Sequence, residues 1–389
     1  RGVQPMVEIQ AQEPDSSLWG QNFPNQWSTL LLTEINDVKT NYGGSQPFSR
    51  IEWDPRLVTL FAGYPFSEDY NEERGHRMSL VDVRETMRIS EKTPATCYSC
   101  KSSNNPSLWA EMGMARYDAM SFAEMTPRIT EPIGCANCHE AGTMRLIVTN
   151  PALDEALKAQ GKDWREFSRQ EMRTVVCANC HVEYYFKGDG KYLTFPWANG
   201  TRIEEIEVYY EDVGFTDWKH KESEAPMLKM QHPEYETYTA GSTHYNAGVA
   251  CADCHMPYTR DGAVKFSTHD THSPLFSPSN ACGTCHTDVD YVTGRVKIIQ
   301  DTVAETMFLT EDAIITAIDA IKAAAADPKV DAEKLEEARK LHRAAQMRWD
   351  FISAENSMGF HNPEEALRIL AASTDLARQA QIMAIDAMP

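Results

Sequence analysis

The chain has 389 residues and a formal net charge of −20, with 42% hydrophobic residues. A nucleic-acid-binding protein needs a basic footprint, and strong affinity for an anionic lipid surface needs one too, so this composition argues against both partners. If the protein binds an anion, the binding site itself must supply a local positive field. The apolar content is sufficient for a buried core, and no apolar run is long enough to predict a bilayer-spanning helix.

Residues 1–95 mix Pro and Gly and contain no clear repeat. The N-terminal stretch lacks the apolar region of a signal peptide, so we interpret it as a mature end from which a signal peptide is absent. The segment from Asp82 to Arg88 predicts a short helix that leads towards the first pair of cysteines.

All ten cysteines lie between residues 96 and 290, in five C-x-x-C pairs. Four pairs are followed directly by His and one by Lys, and C-x-x-C-H is the attachment signature of c-type haem. A disulfide framework or a set of zinc sites would not require His after each second cysteine, so the pattern indicates several covalent haems. The pairs with the residue that follows each are Cys97/Cys100 with Lys101, Cys135/Cys138 with His139, Cys177/Cys180 with His181, Cys251/Cys254 with His255, and Cys282/Cys285 with His286.

The other histidines are numerous enough to complete four haems. A low-spin haem usually has a second axial ligand, and bis-His ligation is favoured here over Met, although the chain has 17 Met. Spacing alone does not decide which four of the eight act as ligands. The candidates are His76, His220, His232, His244, His269, His272, His342 and His361.

The elements predicted in the second half of the chain are mostly helices. Residues 203–210 are the best strand candidate, with partial alternation, in a region where loops and short helices carry the cysteine pairs. Cysteine is absent beyond residue 290, and helices are predicted over 297–326, over 331–357 and from Asn362 to about Ala387. We therefore predict a mainly α multihaem cytochrome c with a haem-packed core, few short strands and long C-terminal helices. Residues 1–290 would form a pentahaem catalytic region and residues 291–389 a long-helix region for packing and dimerisation, together one compact unit.

With these motifs assembled, the chain resembles the pentahaem cytochrome c nitrite reductases, which form ammonium. The resemblance extends from about Arg74 to Leu370, and its hallmark is one C-x-x-C-K site followed by four C-x-x-C-H sites. Further matches are E-R-G-H at 73–76, D-V-R-E-T-M-R at 82–88, C-H-V-E-Y-Y at 180–185, L-K-M-Q-H-P-E-Y at 228–235 and H-N-P-E-E at 361–365.

The resemblance implies five covalently bound haem c groups, of which the one at Cys97/Cys100 is catalytic and has Lys101 as its proximal ligand. It also implies a distal His for each of the others. His272 is an alternative to His269, which the spacing to the following Ser-Pro-Leu favours. The implied distal ligands are His269 for the haem of Cys135/Cys138, His76 for Cys177/Cys180, His361 for Cys251/Cys254 and His244 for Cys282/Cys285.

The same resemblance implies a distal pocket and a calcium site. Arg88, Tyr184 and His232 would face the open iron position, with Arg84 as the alternative to Arg88. Calcium, a hard cation, would be bound by oxygen atoms, with Tyr184 and Lys229 offering backbone carbonyls. The implied calcium ligands are Glu183, Tyr184, Lys229 and Gln231.

The implied activity is the six-electron reduction of nitrite to ammonium, with the four bis-His haems relaying electrons. Covalent haem c is assembled outside the bacterial cytoplasm, so we expect a periplasmic protein. The implied electron donor is a membrane-anchored quinol-oxidising cytochrome or a soluble multihaem cytochrome, and the long helices would form a homodimer. Two alternatives are a pure electron carrier, which would keep every iron six-coordinate, and an enzyme acting mainly on hydroxylamine or sulfite.

Overall fold

The computed structural model describes residues 5–389, and helices dominate this part of the chain. Short helices occupy the first two thirds, whereas the last third consists of three long ones. Numbered in chain order, the helices are α1 Ser16–Asn22, α2 Pro24–Ile35, α3 Arg50–Trp53, α4 Leu57–Leu60, α5 Ser79–Glu85, α6 Asn105–Met112, α7 Met114–Ala119, α8 Phe122–Met125, α9 Pro151–Ala159, α10 Arg169–Val175, α11 Ile203–Asp212, α12 Glu234–Thr239, α13 Thr243–Asn246, α14 Cys251–His255, α15 Pro278–Ala281, α16 Val289–Ala325, α17 Ala332–Ser353 and α18 Pro363–Asp386.

The strands of the described region form three separate two-stranded antiparallel hairpins. Tyr185 pairs with Thr194 in the first hairpin, Trp218 with Met227 in the second, and Tyr258 with Ser267 in the third. The strands are β1 Tyr185–Lys187, β2 Tyr192–Thr194, β3 Trp218–Lys219, β4 Pro226–Met227, β5 Tyr258–Asp261 and β6 Val264–Ser267. The mainly helical fold with few short strands is as predicted.

The three long C-terminal helices agree closely with the sequence prediction. The side chain of Asp331 accepts from the amides of Glu333 and Lys334 and caps α17, and Asn362 caps α18 by accepting from the amide of Glu365 at 3.4 Å. Pro363 takes the first position of α18, where its missing amide costs nothing because that amide has no partner within a helix. These local signals define the helix ends without tertiary information.

The strand predicted over residues 203–210 is wrong, because this segment forms α11. Its buried residues Ile203, Ile206 and Tyr210 recur at helical spacing, and the Glu205 side chain accepts from the amide of Arg202 at 2.9 Å. The β-branched and aromatic side chains imitate strand composition, but the acidic residue at the third helical position favours a helix start.

The helix predicted over residues 82–88 lies three residues earlier. Helix α5 ends at Glu85, and Thr86 has an extended backbone with ψ near 135°. The hydroxyl of Thr86 accepts from both the amide and the guanidinium Nε of Arg88, at 3.3 and 3.0 Å. A threonine that binds nearby backbone in this way competes with helical hydrogen bonding, so Arg88 follows the helix instead of lying on it.

The chain forms two compact units that interleave in sequence. Unit 1 comprises residues 1–47, 72–195 and 244–294, and unit 2 comprises residues 48–71, 196–243 and 295–389. The catalytic and long-helix regions expected at 1–290 and 291–389 stay a prediction about the folding units.

In unit 2, helices α17 and α18 pack along a seam of small residues. Ala338 and Ala345 on α17, and Ala377, Ala380 and Ala384 on α18, are completely buried, and Ser373 donates to the carbonyl of Ala345 at 2.6 Å. Small side chains let two helix backbones approach closely and hold α17 in one orientation. This fixes the part of α17 that carries Asp350.

Candidate functional site

All five cysteine pairs lie in short turns of unit 1. In three of them the amide of the following His donates to the carbonyl of the first cysteine at 2.9 Å, at His139, His181 and His286. The two thiols and the His are thereby held within a single turn, the arrangement that haem attachment requires. The described cysteines form no disulfide.

Two pairs of histidine rings face each other in unit 1. The ring centroids of His139 and His269 are 6.3 Å apart, and those of His244 and His286 are 6.4 Å apart. A metal bound about 2.0 Å from one nitrogen of each imidazole would separate the two centroids by about 6.3 Å. The side chains present therefore fit two bis-His haems.

Several of the predicted ligand histidines also have the second hydrogen bond that metal-binding imidazoles usually make. The Nδ1–H of His139 donates to the carbonyl of Met144 at 3.0 Å, and that of His269 donates to Ser267 at 3.0 Å. The Nδ1–H of His255 donates to the carbonyl of His272 at 3.1 Å. Each bond fixes the tautomer and leaves Nε2 as the metal-binding nitrogen.

His269 and its sequence alternative His272 have different surroundings. The His269 ring faces His139, whereas Nδ1 of His272 lies 3.0 Å from the Asp270 carboxylate. The backbone carbonyl of His272 accepts from the proximal candidate His255. His272 is thus engaged in orienting its neighbours, and His269 has the geometry of an axial ligand.

Burial keeps the predicted distal histidines of unit 1 uncharged. Desolvation, followed by the neighbouring His181, lowers the pKa of His76 to about 4. Desolvation, followed by His139, lowers the pKa of His269 to about 4. A neutral imidazole is the form that binds iron, so both side chains are prepared for ligation at neutral pH. In unit 2, Nδ1 of His361 contacts the buried carboxylate of Glu355.

The first cysteine pair lies in a tightly supported loop. The amide group of Asn105 donates to the carbonyls of Tyr98 and Ser99 at 2.7 and 3.0 Å, and its oxygen accepts from the Tyr117 hydroxyl at 2.8 Å. The hydroxyl of Ser79 donates to the carbonyl of Lys101 at 2.8 Å. The backbone that carries Lys101 is therefore fixed from both sides by buried polar side chains.

The ammonium group of Lys101 contacts the carboxylate of Glu73. Desolvation lowers the pKa of Lys101, but the charge of Glu73 outweighs it, so the pKa is raised overall. An amine must lose its proton before it can bind a metal, so ligation by Lys101 requires the metal to displace that proton.

Of the predicted pocket residues, Arg88 and Tyr184 lie in unit 1. The charge of Arg88 acts on the Cys97 thiol. Burial, followed by the charges of Cys100 and Cys97, raises the pKa of Tyr184 well above its ordinary value, so its hydroxyl keeps its proton. The alternative residue Arg84 donates to the Tyr98 hydroxyl at 3.2 Å and to the Ile129 carbonyl at 2.6 Å.

The remaining predicted site residues are divided between the units. Glu183 is completely buried in unit 1, where a carboxylate needs compensation by a positive charge. In unit 2, the Gln231 side-chain amide donates to the Lys229 carbonyl at 3.0 Å, and Nδ1 of His232 lies 3.8 Å from Glu234. In residues 5–389 no three His, Cys, Asp or Glu side chains converge as around a metal ion. The predicted calcium ligands are of a different kind, mainly carbonyl and amide oxygens.

The structure also assigns positions to residues that the sequence interpretation did not single out. Asn137 and Asn179 occupy the same place within two C-A-N-C-H motifs. Asn137 donates to the carbonyl of Ser102 at 2.9 Å, and Asn179 accepts from the amides of Thr149 and Asn150. These bonds connect the first three attachment turns, and the shared C-A-N-C-H pattern was the signal that could have revealed them.

Two histidines of unit 2 have a structural role. His342 lies between Ser223 and Gln346, at 3.0 Å from each, and burial lowers its pKa to about 3. His220 donates to the carbonyl of Thr59 at 2.9 Å. Buried neutral histidines with both nitrogens engaged explain part of the surplus over the ligands that four haems need.

Comparison with known proteins gives a consistent result. The cytochrome c552 family model matches residues 15–388. The chain is 40% identical over 383 residues to cytochrome c-552 of Parabacteroides distasonis, which covers 97% of this chain and 77% of that protein. It is 39% identical over 367 residues to cytochrome c-552 of Aliarcobacter butzleri, with 90% and 73% covered.

A solved structure is equally similar. Cytochrome c nitrite reductase from Desulfovibrio desulfuricans, whose catalytic subunit has two calcium sites, matches with a TM-score of 0.93 and 35% identity. The match covers 99% of this chain and 88% of that one.

The fold and the attachment turns define a multihaem cytochrome c. The chain belongs to the cytochrome c552 family, the family of the cytochrome c nitrite reductases, and is an enzyme of that family. The resemblance inferred from the sequence is thereby confirmed. Within residues 5–389, none of the helices combines the length and the apolar character that crossing a membrane demands.

Proposed function

We propose that the protein reduces nitrite to ammonium at the haem of Cys97/Cys100, with Lys101 as the proximal ligand. One nitrite, eight protons and six electrons give one ammonium and two waters. The observation that carries the proposal is that Lys101 stands where the four other attachment turns have His, while Arg88 and Tyr184 surround the same cysteine pair. We propose four further haems with the distal ligands His269, His76, His361 and His244.

When bound, the haem supplies electrons and an open coordination position. Arg88 provides the positive field that draws an anion into a protein of net charge −20. Tyr184, whose hydroxyl stays protonated, donates a hydrogen bond to a nitrite oxygen. His232 holds a proton and delivers it as the N–O bonds break, because imidazole exchanges protons near neutral pH.

Electrons reach the catalytic haem from its neighbour in this proposal. The Sγ of Cys100 lies 3.8 Å from the carbonyl of Asn179, inside the third cysteine pair. The fourth and fifth pairs are also neighbours, because the charges of Cys282 and Cys285 act on Cys254. Adjacent attachment turns place adjacent haems at short range, and this supports a relay function for the bis-His haems.

We also propose a calcium ion bound by Glu183, Gln231 and the backbone carbonyls of Tyr184 and Lys229. The complete burial of Glu183 and the convergence of Gln231 with the Lys229 carbonyl support this assignment. The ion would add positive charge beside Tyr184. Exhaustive chelation should lower nitrite turnover and restoration of calcium should recover it; unchanged turnover in a protein shown by elemental analysis to be calcium-free would contradict the proposal.

For the cellular setting we propose a periplasmic enzyme that acts as a homodimer through its long C-terminal helices. It would receive electrons from a membrane-anchored quinol-oxidising cytochrome or a soluble multihaem carrier. Covalent haem chemistry supports the compartment, and the length of α16, α17 and α18 supports the dimer. Sedimentation of the haem-loaded protein at several concentrations measures the assembly state.

The proposed activity is tested by counting haems and measuring ammonium formed per nitrite with a reduced dye as electron donor. Five haems and one ammonium per nitrite are expected. A pure electron carrier would consume no nitrite and would lack a high-spin haem signal. Faster turnover of hydroxylamine or sulfite than of nitrite would assign the open iron to another substrate.

A further inference from the structure

The segment Glu73-Arg74-Gly75-His76 supplies a proposed haem ligand in His76, but its first residue has no assigned role. Glu73 contacts the ammonium group of Lys101 through a carboxylate oxygen. The Lys101 side chain is 15% exposed and that of Glu73 is 43% exposed, so the contact forms at the edge of the buried region. Both residues belong to unit 1.

The backbone on either side of this contact is held in place. The Arg74 amide and its Nε donate to the two oxygens of Asp82 at 2.8 and 2.7 Å. A Cβ on Gly75 would lie 2.5 Å from the carbonyl oxygen of Thr33, so the chain passes there at a distance that only glycine permits. Glu73 is therefore presented from a fixed segment to a fixed lysine.

An amine that binds a metal gives up one proton of its ammonium form and keeps two N–H groups. Metal-ligating histidines commonly donate their remaining N–H to a carboxylate or carbonyl, which orients the ligand and raises its donor strength. Lysine has no second ring nitrogen, but its own N–H groups can make the equivalent bond.

We propose that Glu73 is the positioning residue of the catalytic haem, accepting a hydrogen bond from the ligating amine of Lys101 and thereby lowering the reduction potential of that haem. The inference rests on the proposed ligation by Lys101. It gives the segment 73–76 two functions, since Glu73 orients the proximal ligand of one haem and His76 completes its neighbour. The carboxylate acts through the amine and touches neither substrate nor iron.

The direction of the effect follows from electrostatics. A carboxylate that accepts from the ligand increases electron donation to the iron and stabilises the ferric state. Removing it favours the ferrous state and raises the potential. Glutamine at the same place still offers an amide oxygen as acceptor but lacks the charge, so its effect should be intermediate.

The test is a spectroscopic redox titration of the haem-loaded Glu73→Ala and Glu73→Gln variants. The high-spin haem should become easier to reduce by about tenfold in its ferrous-to-ferric ratio in Glu73→Ala, about 59 mV for one electron. The low-spin haems of the same molecule serve as internal references. Glu85→Gln is the matched control, because it removes one negative charge beside Arg74 from a residue that is 72% exposed.

A potential unchanged in Glu73→Ala would overturn the proposal, and so would equal shifts in Glu73→Ala and Glu85→Gln, which would show a general charge effect. Lys101→His separates this failure from failure of the proposed function. If the high-spin spectrum is unaffected by Lys101→His, then Lys101 is not the ligand and the proposed function itself is wrong. If that spectrum changes while the Glu73 variants behave as wild type, ligation stands and the role of Glu73 falls.

Discussion

The ammonium group of Lys229 donates to the carboxylate of Asp350 at 2.8 Å, and both side chains are almost completely buried. The same carboxylate accepts from the amide of Met230 at 2.7 Å, while Asp217 accepts from the amide of Lys229 at 2.8 Å. The rings of Phe61, Phe66 and Tyr70 lie 5.0 to 5.4 Å from the ammonium group. The backbone whose carbonyl is proposed to bind calcium is thus fixed by a buried ion pair within unit 2.

Replacing Asp350 by Asn should destabilise the protein markedly. Breaking a buried pair by removing one charge leaves the other uncompensated, at a cost of about 3–5 kcal/mol. Urea unfolding of the haem-loaded protein measures the loss. The matched control is Glu224→Gln, which removes the partner of Arg339 on the same helix at a carboxylate that is 51% exposed. This exposed pair should change the free energy of unfolding by at most about 1 kcal/mol; equal losses would contradict the structural role of Asp350.

The two arginines that the sequence left as alternatives should separate into a functional and a structural residue. Arg88→Ala should reduce kcat/KM for nitrite by at least about tenfold, because a charge-assisted interaction with the anion is lost. Arg84→Ala loses its bonds to Tyr98 and Ile129 and should instead lower the free energy of unfolding by about 1–3 kcal/mol. Steady-state kinetics and urea unfolding on both variants give the comparison, and the reverse pattern would make Arg84 the pocket residue.

Replacing His232 by Asn should lower kcat by about 10²- to 10⁴-fold, the usual contribution of a positioned proton donor. Asparagine can hydrogen-bond but cannot deliver a proton near neutral pH. Stopped-flow reduction of the haems by the dye provides the control, since loading of electrons should proceed at the wild-type rate. Undiminished nitrite turnover would remove His232 from proton delivery.

Glu311 should make the stability of the protein depend on pH. Its side chain is 1% exposed, accepts from Trp349 at 3.0 Å and contacts Arg56 at 2.9 Å. Desolvation, followed by the adjacent Asp54, raises the pKa of Glu311 from 4.5 to about 9. The folded protein retains a proton that the unfolded chain releases. The stability contributed by this group is therefore complete below about pH 4.5 and is lost as the pH rises towards about 9.

Glu311→Gln should flatten this decline between about pH 5 and about pH 9, because the amide imitates the protonated acid. Urea unfolding at several pH values measures the slope. Asp312→Asn, at a neighbouring carboxylate that also contacts Arg56 but is 64% exposed, is the control and should keep the wild-type slope. A Glu311→Gln variant that declines with pH like the wild type would show that Glu311 is ionised in the folded protein at neutral pH.

Local signals account for the parts of the structure that the sequence predicted well. Cap residues and proline set the ends of α17 and α18, and their side chains act within one turn of the backbone they stop. The same locality misled the interpretation of residues 203–210, where strand-like composition outweighed the helical spacing of Ile203, Ile206 and Tyr210. It also misplaced the end of α5, where Thr86 provides an alternative hydrogen bond.

The sequence by itself determined that this is a multihaem cytochrome c, because haem attachment needs two thiols and a ligand within one turn. It equally marked Lys101 as exceptional, since the exception lies inside the motif. Tertiary structure alone decided that His139 faces His269, that His244 faces His286 and that Glu73 contacts Lys101. Residues so far apart along the chain meet through packing, and no local periodicity or spacing carries information about which partner each will meet.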